Sequence, residues 1–233
     1  MRSTHPKHRL WVGLWLLAGV AAGCSADQMF TKPTSWAMFG GKEESPVQTR
    51  ADRLQELRQL AKRLPDSDAA RQEQVSRELG QAIREEKDPL IRAQLLRTLG
   101  VCRTSIADAV LAAGVEDSDA HVRVAACEGL ARRGGEESIR ILGGVVASDT
   151  NIDVRIAAAR SLGEFKSPRV VGVLAVALDD ANPALQFRAV KSMEQATGRE
   201  FGNDVEAWRQ FAKGGNPQPR SPPLLARLRP SFF

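Results

Sequence analysis

The sequence predicts an all-α solenoid of about five stacked antiparallel helix pairs, and three observations predict it. A block built around an arginine recurs four times, at Arg92, Arg123, Arg155 and Arg188, with spacings of 31, 32 and 33 residues (123−92, 155−123, 188−155). Apolar and small residues inside each block follow the helical period. Polar side chains suited to N-capping open the blocks (Asp88, Asp119, Asn151), and glycines suited to helix ends close two of them (Gly100, Gly163). A period of this size marks stacked supersecondary units, each too small to bury its own apolar face.

The first 23 residues form a leader. Arg2, Lys7 and Arg9 give a basic start, and Leu10 to Ala22 is an apolar run too short for a comfortable membrane span. Ala-Ala-Gly-Cys follows at 21–24 and resembles a bacterial lipobox, with Ala21 where leucine is usual. The resemblance implies a lipoprotein signal peptide over 1–23 and lipid attachment at Cys24. An ordinary cleaved signal peptide and an uncleaved anchor are the competing readings. Residues 24–45, with Gly, Pro, Ser and scattered aromatics, read as a flexible tether.

Residues 46–87 read as an N-terminal capping helix pair. Leu54, Leu57, Leu60 and Leu64 form one stripe, and Val75, Leu79, Ala82 and Ile83 form a second after the turn Pro65 to Asp68. The repeats occupy 88–213. Their first helices carry Ile91, Val122, Val154 and Phe187 just before the arginine, then small or apolar residues such as Leu96, Leu99, Cys127, Leu130 and Leu162. Second helices are expected at 105–115, 136–147, 168–178 and 203–213. In the fourth copy Lys191 and Glu194 replace expected small residues and Gln195 replaces the leucine. The stretch Glu194 to Gly202 is expected to carry the chain between that copy's two helices.

The pattern Asp-x-x-Val-Arg-x-Ala-Ala-x-x-Leu-Gly, a short turn, then an apolar helix resembles the HEAT repeat in its short bacterial, phycobilisome-lyase-type form. The resemblance covers about residues 88–213 and implies a stacked-helix binding surface. It does not imply one activity, since folds host many functions.

The C-terminal segment 214–233 has five prolines, three arginines (Arg220, Arg227, Arg229) and no acidic residue. It cannot be a continuous helix. Leu224, Leu225, Leu228 and the Phe232–Phe233 pair make it a candidate sticky end, either for a partner or for the last repeat. The net charge of +5 falls to +2 without residues 1–23 (30 basic, 28 acidic), and residues 46–213 balance at 25 and 25. No basic stripe of the nucleic-acid-binding kind results, so no nucleic-acid partner is expected.

The residue inventory argues against an enzyme. His5 and His8 lie in the leader, leaving His121 alone in the mature chain, at a helix start. No zinc-type Cys/His cluster and no phosphate-binding glycine loop occurs, so neither metal, cofactor nor small-molecule substrate is expected. Cys102 and Cys127 read as small core hydrophobes. Among enzymes built on this repeat, the deoxyhypusine hydroxylases hold iron through His-Glu pairs, a dipeptide that this chain lacks. Phycobilin lyases and isomerases have a subtler signature and stand as the alternative, together with an envelope spacer that binds nothing.

The expected function is therefore non-catalytic protein binding by a lipoprotein of the bacterial cell envelope, anchored to a membrane through its N-terminal lipid and facing the periplasm or exterior. The second helices of related solenoids line the inner face. Candidate contact residues are Ile106 and Val110; Glu137, Arg140 and Ile141; and Arg169, Val173 and Val176. The apolar members of this set also suit gap filling between helices.

Overall fold

The computed structural model describes residues 49–218, and every regular element in it is helical. The first helices of successive pairs are α1 (Arg50–Arg63), α3 (Pro89–Leu99), α5 (Ala120–Arg133), α7 (Ile152–Leu162) and α9 (Pro183–Thr197). The second helices are α2 (Ala69–Glu85), α4 (Ser105–Gly114), α6 (Gly135–Ser148), α8 (Arg169–Leu178) and α10 (Val205–Ala212). The fold is an all-α, HEAT-like solenoid of five helix pairs. First helices stack on first helices, second helices form the other layer, and each second helix of the first four pairs also packs on the next pair's first helix. The expected leader 1–23, the expected lipid site Cys24, the expected tether 24–45 and the tail beyond Gln218 lie outside the described residues.

Helices of ten to fifteen residues are marginal alone, so caps and packing hold them. Asp88, Asp119, Asn151 and Asn182 each accept a backbone N–H from the first turn of the helix that follows. Between the layers lies a continuous core. Leu96 and Leu99, Cys127 and Leu130, Ala159 and Leu162, and Val190 and Met193 recur at matching positions, and all are buried. Removing a leucine-sized side chain from water contributes about 1.5–3 kcal/mol. Cys102 and Cys127 are free, buried thiols, and desolvation pushes Cys127 up to about 12.

Gly100 and Gly163 end their helices with right-handed backbones, φ −60° and −63°. The left-handed turn that a terminal glycine suits is thus not what they supply. They permit close approach instead: a Cβ on Gly100 would fall 2.8 Å from the Gly129 Cα, and one on Gly163 would fall 3.0 Å from the Ser192 Cα.

A ladder of ion pairs runs along the stack. Arg92 grips Asp117 with Nε and Nη2 at 3.0 and 2.9 Å. Arg123 grips Asp149 at 2.8 and 3.0 Å, and Arg155 donates to Asp180 at 2.6 Å. Each carboxylate sits two residues before the next N-cap and also accepts that residue's backbone N–H, at 2.9, 2.8 and 2.8 Å. Arg53 of α1 pairs with Glu86 in the same way, and Glu86 accepts from the Asp88 N–H. The segment expected as an N-terminal capping helix pair thus carries its own rung.

Arg188 does not belong to the ladder. The N-caps Asn151 and Asn182 are 31 residues apart (182−151), and the same offset pairs Val154 with Leu185, Ala158 with Ala189 and Leu162 with Met193, all buried. Arg155 then corresponds to Gln186, whose side-chain amide donates to the Asp180 carbonyl at 2.6 Å. Arg92 and Arg123 likewise donate to the carbonyls of Glu86 and Asp117. The fourth arginine read from the sequence was two residues out of register. Phe187, placed in the core by that reading, is 48% exposed, and Leu185 takes its place. Met193, not Gln195, stands for the leucine. Helix α9 also continues through Thr197, so Glu194 to Thr197 is helix rather than connection.

A candidate protein-binding groove between α4 and α6

The second-helix layer has one break. Helix α2 packs on α4, α6 on α8, and α8 on α10, but α4 and α6 scarcely touch. Repeat positions supply the reason. Where α2 meets α4, a Cβ on Gly80 would lie 3.2 Å from a Val110 methyl; where α6 meets α8, a Cβ on Gly143 would lie 2.6 Å from a Val173 methyl. Glycine receives valine in both. The equivalent pair between α4 and α6, by offsets of 31 (143−112, 141−110), is Ala112 and Ile141. A methyl replaces the hydrogen and a larger side chain replaces valine, so the helices stand apart.

The gap is an open groove of about 570 Å³. Ala112, Val115, Ile141 and Val145 give it an aliphatic wall, Gly144 and Ser148 a small polar edge, and Arg123 with Asp117 and Asp149 its charged floor. Glu116, Glu137 and Arg140 stand at its sides. A Cβ on Gly144 would meet nothing within 4 Å, so a partner's backbone can approach α6 closely there.

The groove's charges are mostly committed. Burial alone would raise the Asp117 carboxyl, but the Arg92 guanidinium and the Asp119 N–H outweigh it and hold it below the usual carboxylate range. Asp149 is held low in the same way, burial being outweighed by Arg123 and the Asn151 N–H. Arg123 also donates through Nη1 to the carbonyls of Asp117 and Ser118. Arg140 pairs with Glu137 at 2.5 Å on the exposed side of α6 and lowers that carboxyl. Glu116 has no ion pair among the described residues. Four carboxylates face two guanidiniums, so the lining is net acidic. No histidine or cysteine lines it, and no group of described His, Cys, Asp or Glu residues is arranged to hold a metal ion. No described helix is long and apolar enough to cross a membrane.

The eight contact residues expected from sequence divide. Glu137, Arg140 and Ile141 meet in the groove. Val110 and Val173 are half-buried against Gly80 and Gly143 and fill the spaces between second helices. Ile106 is half-buried on α4, Arg169 pairs with Glu136 outside the groove, and Val176 is 46% exposed on α8. The sequence reading missed Ala112, Val115 and Glu116, because the break in the layer appears only when the Gly–Val contacts of the neighbouring pairs are seen.

Among curated proteins none matches the chain. The family model of HEAT repeats matches residues 76–151 and 144–206, more than half of the 233 residues. The match starts within α2, yet the Arg53–Glu86 rung carries the repeat geometry back through α1. On the match and the ladder together, the chain belongs to the HEAT-repeat family.

Proposed function

We propose that the chain is a non-catalytic, protein-binding scaffold of the bacterial cell envelope, held to a membrane by lipid on Cys24, and that the α4–α6 groove is its binding site. The single observation that carries the binding reading is the groove itself, a break in an otherwise closed helix layer with an aliphatic wall and an acidic rim. HEAT arrays serve as surfaces for holding proteins. A fitting partner segment is extended, with a Lys or Arg toward Glu116 and Glu137 and an aliphatic side chain toward Ala112 and Ile141. The envelope reading rests on the leader and on Ala-Ala-Gly-Cys at 21–24.

The test fills the groove without disturbing the fold. Gly144→Leu adds a side chain where a Cβ meets nothing within 4 Å, and Gly172→Leu does the same on α8, away from the groove. Proteins crosslinked in native membranes are compared for the full chain and both variants. Loss of one specific partner with Gly144→Leu but not with Gly172→Leu is the expected result. Equal capture by all three removes the groove from the function. Chromophore-directed turnover by the purified chain would replace the scaffold reading with the lyase-like one.

A further inference from the structure

The last first helix has an uncovered side. Ala93 of α3 recurs as Val124 in α5, Ile156 in α7 and Phe187 in α9, at offsets of 31, 32 and 31 (124−93, 156−124, 187−156). Ala93 is buried, and Val124 and Ile156 pack half-buried against the core. Phe187 is 48% exposed. Helix geometry explains the difference. Ser192 faces the end of α7, where Gly163 approaches it. Phe187 comes five residues earlier, about 140° around the helix at 100° per residue. It points to the side on which α3, α5 and α7 each find the next first helix, and α9 has no such successor among the described residues. The Lys191 ammonium stands over the ring, 5.9 Å from the centroid, and donates to Glu194 at 2.8 Å.

After α10 the Gly215 N–H donates to the Gln210 carbonyl at 2.9 Å, and Pro217 is buried. The chain therefore still lies on the last pair where the described residues end. Fifteen residues follow Gln218 (233−218), a reach of up to about 50 Å when extended. That exceeds the roughly 22 Å length of a helix the size of α9. The segment carries Leu224, Leu225 and Leu228 with three arginines and no acid, so it holds both apolar side chains to bury and charged ones to keep in water.

We propose that residues 219–233 cap the open end of the solenoid, with Leu224 and Leu225 seated on Phe187. A terminal unit of a stacked array needs an outer surface that meets water. The tail covers the exposed ring and presents Arg220, Arg227 and Arg229 in its stead. This inference is independent of the groove and of the envelope reading.

Hydrogen exchange across α9 tests it, in the full chain and in a chain ending at Gln218. Two further full-length variants are Phe187→Asp and the double change Leu224→Asp, Leu225→Asp. Removing the tail is expected to speed α9 exchange about tenfold, and each full-length variant is expected to do the same. Phe187→Asp made in the shortened chain is expected to add nothing further. Unchanged exchange on truncation, or wild-type exchange in the double leucine variant, overturns the proposal. So do effects of Phe187→Asp and truncation that multiply independently. Protection that rises with protein concentration, alongside a doubled mass in light scattering, would assign the cover to a second copy and overturn it too.

Discussion

Arg123 in α5 holds both carboxylate oxygens of Asp149, 26 residues later in the α6–α7 turn, through Nε at 2.8 Å and Nη2 at 3.0 Å. The same carboxylate accepts the Asn151 N–H at 2.8 Å. One side chain therefore ties a first helix to the start of the next and also forms part of the groove floor. Both partners are largely buried, with side-chain exposures of 13% and 8%.

Asp149→Ala is expected to cost about 3 kcal/mol, because it leaves a largely buried guanidinium without its partner. Glu137→Ala removes the carboxylate of a pair that is 69–71% exposed and is expected to leave stability nearly unchanged, because solvent screens the pair. Urea denaturation of the two variants measures the contrast. Similar losses would mean that the ladder is no stronger than a surface pair.

Acid is expected to loosen the stack at the same points. Asp117 and Asp149 have folded-state pKa values held below their ordinary one. A depressed carboxylate contributes stability that is complete above the unfolded value, about 3.9, and is lost as pH falls through the folded value. The urea midpoint should fall from about pH 4 downward. Asp149→Asn should start lower at neutral pH and lose less on acidification. An equal acid loss in that variant would place the sensitivity elsewhere.

Leu130→Ala and Leu162→Ala delete matched, buried core side chains in adjacent units. Each is expected to cost about 2–5 kcal/mol. The loss should spread to neighbouring units, since each repeat rests on those beside it. Calorimetry showing less than about 1 kcal/mol at both positions would contradict their shared core role.

Two glycine changes should have opposite signs. An alanine methyl at Gly100 would sit 2.8 Å from the Gly129 Cα, a backbone atom that cannot swing aside; the expected cost is about 1–3 kcal/mol. At Gly144, inside α6, the added methyl meets nothing within 4 Å, and the gain in helix propensity is up to about 1 kcal/mol. Melting temperatures that move in the same direction would contradict the packing described between α3 and α5.

Cys24→Ala tests the envelope proposal separately from the groove. Loss of the variant from the membrane fraction, or arrested processing, is the expected outcome. Normal cleavage with unchanged membrane retention would remove the lipid anchor from the proposal.

The sequence by itself determined what local chemistry dictates. Helical periodicity, N-cap side chains and the recurring arginine specify antiparallel pairs stacked in a row, and the buried leucines follow from their spacing. Tertiary structure decided whatever depends on which repeat faces which. The arginine at 188 imitates the motif two residues late, and only the packing of Leu185 and Met193 shows that Gln186 holds the position. Arg53 lies in a stretch too degenerate to align, yet its contact with Glu86 makes that stretch a full repeat. The groove exists because Ala112 and Ile141 replace a Gly–Val contact across two helices 29 residues apart in sequence (141−112). Periodicity records one helix's own faces; the fit between two helices depends on the sum of two side-chain volumes, and a single methyl on each is enough to open or close it.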